Sequence, residues 1–143
     1  MTPLDPRVES NVRESFSRQA LMTTIGARIM AIGPGSLAIG LDHRDDLTQQ
    51  HGFLHAAIVA AILDSASGYA ALTLMPLGSD VLSIEFKVNL LATAVGERFV
   101  ARAEVKRAGR TVSVCSADCF AVQNGSEKLV ATMLATIMRR VAE

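Results

Sequence analysis

Residues 55–75 have the sequence HAAIVAAILDSASGYAALTLM, which is the strongest indication of the fold. It lacks period-two alternation, and residues 56–63 are apolar on every face, which predicts a helix buried nearly all round. Its many alanines favour a helix and let strands approach it closely. Pro76 and Gly78 predict its end, so we expect a central helix over about residues 55–75.

Segments on both sides of this helix have the alternation and turn signals of strands. Two strands are predicted before it, at residues 27–32 and 37–41, around the turn Gly33-Pro34-Gly35. Four are predicted after it, at residues 81–91, 98–106, 111–122 and 129–138, the last two joined at Asn124-Gly125. An amphipathic helix is predicted over about residues 5–18, followed by a connector over residues 19–24. We therefore expect one α+β domain over residues 1–143, with an antiparallel sheet wrapped around the central helix.

Composition bears on partners and location. Half of the residues are hydrophobic although only 4% are aromatic, which favours a core plus an apolar subunit interface over a well-filled core alone. The formal net charge is zero, so no global field favours nucleic acid or an anionic membrane as a partner. The apolar run of residues 56–63 is too short to span a bilayer, and residues 1–6 do not resemble a signal peptide. We expect a cytoplasmic protein.

The cysteines and histidines predict neither a disulfide nor a metal site. Cys115 and Cys119 share one face of a predicted strand about 13 Å apart, too far for a disulfide, so buried free thiols are expected. The three histidines and Asp64 have no recognisable zinc spacing, so no metal is expected.

The functional site is expected where a Gly-containing loop, residues 48–54, leads into the central helix. Unpaired backbone N–H groups at a helix start form an anion or oxyanion site, and the small side chains of Ala56 and Ala57 leave them accessible. Asp64 interrupts the apolar helix, where a carboxylate is costly unless it is paired or used. The plain alternative is an Asp64 that bonds Ser67 or faces a solvent-filled cleft.

One small reacting group cannot easily contact both Ala56 and Asp64 of the same chain. They are displaced by about 12 Å along a helix and by about 80° around it. If both serve one site, Asp64 must come from a second subunit. A symmetric dimer would then hold two equivalent sites at its interface.

This loop, the helix and the next strand resemble the PaaI-like acyl-CoA thioesterases of the hotdog superfamily. That family has the pattern N/Q-x-x-G-x-x-H-G-G, with an acidic residue nine positions after the histidine. The matching residues here are Gln49, Gly52, His55 and Asp64. Residues 81–94 resemble the family's strand ending F/Y-x-x-P-A, and Gly109-Arg110 resembles its G-R turn. Two departures are Ala56-Ala57 for the glycine pair and Thr93 for the proline.

The resemblance implies a hotdog fold and hydrolysis of an acyl-CoA to CoA and a carboxylic acid, with no cofactor besides the CoA of the substrate. The Ala56 N–H would polarise the thioester carbonyl, and Asp64 of the other subunit would act as nucleophile or general base. Gln49 would orient the water or the carboxylate, and Ser83 or Ser67 would orient water or Asp64. His55 is either an acid/base or, preferably, a structural residue that places Ala56.

Further substrate contacts are expected from Gly52, Ala57 and Gly68 near the helix and from the turn containing Arg107, Gly109 and Arg110. The two arginines would grip the CoA phosphates, or the turn is a solvated hairpin tip. A homodimer is expected, with a tetramer as an open possibility. The alternatives to a thioesterase are a non-catalytic acyl-CoA-binding hotdog module and a hotdog hydratase or dehydratase.

Overall fold

A computed structural model of the chain describes residues 2–141. Helix α1 spans Pro6–Ser17 and is capped by Asp5, whose side chain accepts a hydrogen bond from the Arg7 backbone N–H. A short helix α2 spans Ala20–Ile25, and the central helix α3 spans Ala56–Leu72. The strands are β1 (Arg28–Gly33), β2 (Ser36–Asp42), β3 (Ser79–Leu90), β4 (Arg98–Ala108), β5 (Val112–Gln123) and β6 (Ser126–Val141).

The six strands form one antiparallel sheet in the order β1-β2-β4-β5-β6-β3. The predicted α+β architecture is therefore confirmed. Asn124 and Gly125 both have positive φ (50° and 77°), as the tight β5–β6 hairpin requires. β3 is an edge strand, and it runs alongside α3 over much of the helix length.

The core lies between α3 and the sheet. Its largest fully buried side chains include Ile62 and Leu63 of α3, Phe99 of β4 and Ile137 of β6. Each such side chain contributes about 1.5–3 kcal/mol through burial. No helix in residues 2–141 has the length and apolar character needed to cross a membrane.

Two sequence-based expectations need correction. Residues 19–24 were expected to form a connector, but α2 forms there because Met22 and Ile25 are buried and Gly26, at φ 74°, supplies a left-handed cap. α3 is buried all round only from Ser65 onward, because Ala56 and Ala57 at its start are exposed to solvent.

The two thiols are buried as predicted. Cys115 and Cys119 are both free and fully buried in β5. Burial raises the pKa of Cys115 to about 11 and the pKa of Cys119 to about 12. Both thiols therefore stay protonated and unreactive at neutral pH.

Candidate active site

Two clefts open between α3 and β3, one near each end of the strand. The first, of about 460 Å³, contains Asp64 and is bounded by α1, α3 and the start of β3. The second, of about 290 Å³, contains Ala56 and Gln49 and is bounded by the loop before α3 and the end of β3. Among residues 2–141, none lines both clefts. The structure therefore keeps the two halves of the predicted site apart within one chain.

The loop that leads into the Ala56 cleft is held by the side chain of Gln49. Its Oε1 accepts hydrogen bonds from the backbone N–H groups of His51 and Phe53, at 2.5 and 3.4 Å. Gly52 has φ 82°, which favours glycine, and its surroundings are open. The Gln49 Nε2 group has no partner within residues 2–141 and remains available to a ligand.

His55 arranges the backbone N–H groups at the start of α3. It is the N-cap, and its Nδ1 accepts a hydrogen bond from the Ala57 N–H at 2.9 Å. Its backbone oxygen accepts from Ile58 at 3.0 Å and Val59 at 3.2 Å. The Ala56 N–H has no acceptor in the described part of the chain. One exposed donor thus remains at the positive end of the helix dipole.

Asp64 lies half-buried in the larger cleft and is held by β3. Its Oδ1 accepts a hydrogen bond of 2.5 Å from the Ser83 hydroxyl. Its Oδ2 has no partner among the residues described, so it can accept from water or approach an electrophilic carbon. Gly68 lies one helical turn further on and lines the same cleft.

Ser67 is not brought to Asp64. It is fully buried, and its hydroxyl donates to the Leu63 carbonyl at 2.8 Å. The structure therefore gives Ser67 a place in the core and leaves Ser83 as the hydroxyl on Asp64. Within residues 2–141, no three His, Cys, Asp or Glu side chains are grouped so as to hold a metal ion.

The basic turn between β4 and β5 lies at the Asp64 end of the sheet. One row of cross-strand partners runs Ala108–Ser113–Ile137–Ser83, which puts the turn about 14 Å from Ser83. Arg107 and Arg110 are exposed, and neither forms an ion pair with any residue described. A side chain on Gly109 would begin 2.1 Å from the Val112 oxygen, so the turn requires glycine.

Residues 51–128 match the model of the thioesterase superfamily. The matched segment contains α3 with Asp64, all of β3 to β5 and the basic turn. The chain belongs to the thioesterase superfamily. The predicted family is confirmed, since the match covers more than half of the 143 residues.

Two solved structures resemble this fold over nearly the whole chain. A thioesterase family protein from Silicibacter pomeroyi is 50% identical, with a TM-score of 0.93 over 94% of this chain and 99% of that one. The Escherichia coli PaaI protein is 17% identical, with a TM-score of 0.85 over 97% of each chain, and is similar in fold. Together with the sheet and its central helix, these structures confirm the predicted hotdog fold.

A curated relative is similar over part of its length. It is a candidate esterase of Halobacterium salinarum, 28% identical over 99 residues. The aligned segment spans 66% of this chain and 65% of that protein.

The Asp64 cleft also contains a group of polar residues that was not predicted from the sequence. Gln19, Ser65 and Tyr69 are linked by hydrogen bonds on the cleft wall. The sequence did contain a signal for Ser65 and Tyr69, because positions 64, 65, 68 and 69 lie on one side of a helix. Gln19 gave none, since it was assigned to a connector and reaches α3 only through the tertiary fold.

Proposed function

We propose that this protein is an acyl-CoA thioesterase, which hydrolyses a thioester to free CoA and a carboxylic acid. The observation that supports the proposal is that a thioesterase superfamily chain has both an Ala56 N–H without an acceptor among the described residues and an Asp64 carboxylate held by Ser83. A polarised carbonyl and a carboxylate are the two groups that thioester hydrolysis needs.

The Ala56 N–H would donate to the thioester carbonyl oxygen and stabilise the negative charge that develops there. As general base, Asp64 would take a proton from water while the hydroxide adds to the carbonyl carbon. The C–S bond then breaks, and the CoA thiolate takes the proton. As nucleophile, Asp64 would instead displace the thiolate itself and form an anhydride that water hydrolyses. Ser83 would fix Asp64 in either case, and the Nε2 of Gln49 would orient the substrate or the water.

Because the two groups line separate clefts, we propose that each working site combines Ala56 of one subunit with Asp64 of the other. The helix-facing side of β3 supports this arrangement. Phe86 and Leu90 pair with the fully buried Ala135 and Ala131, and so point towards the helix layer. Yet they are 41% and 56% exposed, and Ile84 between the clefts is 54% exposed. A long, apolar edge strand of this kind is normally covered.

A two-fold axis near the middle of β3 would place the Asp64 cleft of one subunit next to the Ala56 cleft of the other. If two β3 strands pair antiparallel about Phe86 and Lys87, Ser83 of one subunit lies opposite Leu90 of the other. Ser83 borders the Asp64 cleft, and Leu90 borders the Ala56 cleft. Within one chain the same two residues are about 20 Å apart along the strand. Assembly of such dimers into a tetramer stays a prediction, as does the cytoplasmic location.

Arg107 and Arg110 are proposed to bind the CoA phosphates. They lie at the Asp64 end of the sheet and are unpaired with any described residue, and Ala108 between them is about 14 Å from Ser83 across the strands. The pantetheine arm of CoA separates its phosphates from the thioester by a comparable stretch. Their planar guanidinium groups suit bidentate contact with phosphate.

The test is release of CoA thiol from acyl-CoAs of several chain lengths, with Asp64→Asn beside the wild type. Asp118→Asn is a matched control, because Asp118 is a carboxylate elsewhere on the sheet, bonded to Thr132 at 2.7 Å. We expect the Asp64→Asn rate to fall by at least about a hundredfold and the Asp118→Asn rate to stay within a few-fold. Acyl-CoA binding by the wild type without thiol release would instead support the non-catalytic binding module.

A further inference from the structure

The wall of the Asp64 cleft beyond the carboxylate is polar. The Ser65 hydroxyl donates to Gln19 Oε1 at 2.8 Å, and Gln19 Nε2 donates to the Tyr69 hydroxyl at 3.5 Å. Ser15 shares a further hydrogen bond of 3.2 Å with the same hydroxyl. These residues come from α1, the residue before α2, and α3, and all line the cleft. A cleft built for a plain hydrocarbon chain would be apolar at this point.

Two of these groups retain hydrogen-bonding capacity. The bonds to the Tyr69 hydroxyl, at 3.2 and 3.5 Å, are longer than the usual 2.7–3.0 Å or so. Gln19 Nε2 has a second N–H with no partner among the described residues. Tyr69 is only 5% exposed, and its ring is held edge-on to Phe16 at 5.8 Å. Burial raises the pKa of Tyr69, so its hydroxyl stays protonated and able to donate at neutral pH.

The charges around the cleft disfavour an anionic ligand end. Asp64 and Asp80 both line it. Arg18 lines it too, but its Nη1 is bonded to Glu14 at 2.9 Å. A carboxylate in this cleft would therefore face two carboxylates and one cation that already has a partner.

We propose that Gln19 and Tyr69 recognise the far end of the acyl group, and that the preferred acyl group ends in a neutral hydroxyl, carbonyl or carboxamide. This inference rests on the proposed thioesterase function. From Asp64 to Tyr69 the helix rises by about 7.5 Å, the length of roughly six bonds in an extended chain. The acyl group is accordingly a short or medium one that spans the cleft from Asp64 to the Gln19–Tyr69 wall.

The experiment compares kcat/KM for three acyl-CoAs of equal chain length: hexanoyl-CoA, its terminal hydroxy derivative and adipoyl-CoA, which ends in a carboxylate. We expect the hydroxy derivative to exceed hexanoyl-CoA by about five- to tenfold, as one or two added hydrogen bonds allow, and to exceed adipoyl-CoA by more. Gln19→Leu and Tyr69→Phe should each reduce this preference towards unity. Gln123→Leu, an exposed glutamine at the distant β5–β6 hairpin, is the control and should leave the preference unchanged.

The preference is a ratio measured on one preparation, so partial unfolding of a variant does not alter it, and Tyr69→Phe keeps the ring packed against Phe16. Three outcomes would overturn the inference while leaving the thioesterase proposal standing. They are equal kcat/KM for hexanoyl-CoA and its hydroxy derivative, a preference for adipoyl-CoA, and a preference for the hydroxy derivative that is unchanged by both substitutions. Hydrolysis of none of these substrates or of other acyl-CoAs would overturn both.

Discussion

Replacing Ala56 by proline removes the proposed carbonyl-binding donor and little else. Ala56 is the first residue of α3, a position where proline is well tolerated. The preceding His55 has φ −62° and ψ 138°, the extended conformation that a residue before proline adopts. The folding cost should therefore be well below the roughly 3 kcal/mol of a proline inside a helix.

The expected effect on catalysis is large because no neighbouring N–H can replace the lost one. The Ala57 N–H is bonded to His55 Nδ1, and those of Ile58 and Val59 to the His55 oxygen. Loss of one oxyanion donor costs about a hundred- to a thousandfold in kcat, or about 2.7–4 kcal/mol.

The assay is thiol release, with circular dichroism and size-exclusion chromatography to establish that the variant is folded and assembled as the wild type is. Ala56→Gly keeps the N–H and is the matched control, with activity expected within a few-fold of the wild type. A folded Ala56→Pro protein that retains more than about a third of wild-type kcat would refute the assignment of this N–H.

Three further outcomes are expected. Ser83→Ala should lower kcat about five- to tenfold because Asp64 loses its 2.5 Å hydrogen bond, whereas Ser83→Thr keeps a hydroxyl and should retain much of the wild-type kcat. A Ser83→Ala kcat equal to that of the wild type in steady-state assays would contradict the positioning role of Ser83. Gly68→Ala should raise the free energy of unfolding by about 0.5–1 kcal/mol in denaturant titrations, because its new Cβ meets Val81 at an ordinary 3.7 Å. In assays of a substrate panel, the same variant should slow the hydrolysis of bulky acyl-CoAs most. Burial raises the pKa of Cys115 to about 11 and that of Cys119 to about 12, so the free energy of unfolding that the buried neutral thiols contribute is fully present below pH 9.0 and falls as the pH rises towards 12. In denaturant titrations, a Cys115→Ala, Cys119→Ala double variant should lose less stability than the wild type over that pH range. An equal loss in the two proteins would contradict the role of the thiols.

The sheet and the central helix could be predicted because their signals are local. The uninterrupted apolar run of residues 56–63 indicates a buried helix, and the turns at Gly33-Pro34-Gly35 and Asn124-Gly125 delimit strands by themselves. Helix α2 could not be predicted in this way. Its six residues are too few for a periodic pattern, and its formation depends on the burial of Met22 and Ile25 in the assembled core.

Choosing among the polar residues near Asp64 required the tertiary structure. Ser67 and Ser83 were equal candidates in the sequence, yet Ser67 points into the core, and Ser83 reaches Asp64 from the next strand. Gln19 lies 46 residues from its partner Ser65, so no local pattern could connect them. The separation of Ala56 from Asp64, by contrast, follows from helix geometry alone.

Each working site is proposed to combine Ala56 of one subunit with Asp64 of another. Co-expressing Ala56→Pro and Asp64→Asn chains with two different tags, and purifying through both, isolates the mixed dimer. Each parent homodimer should be nearly inactive. If the claim is right, one of the two sites in the mixed dimer contains both intact residues, and the dimer should have about half the wild-type turnover. If both residues act within one chain, every site carries a substitution, so a mixed dimer no more active than its parents would rule out a site shared between subunits.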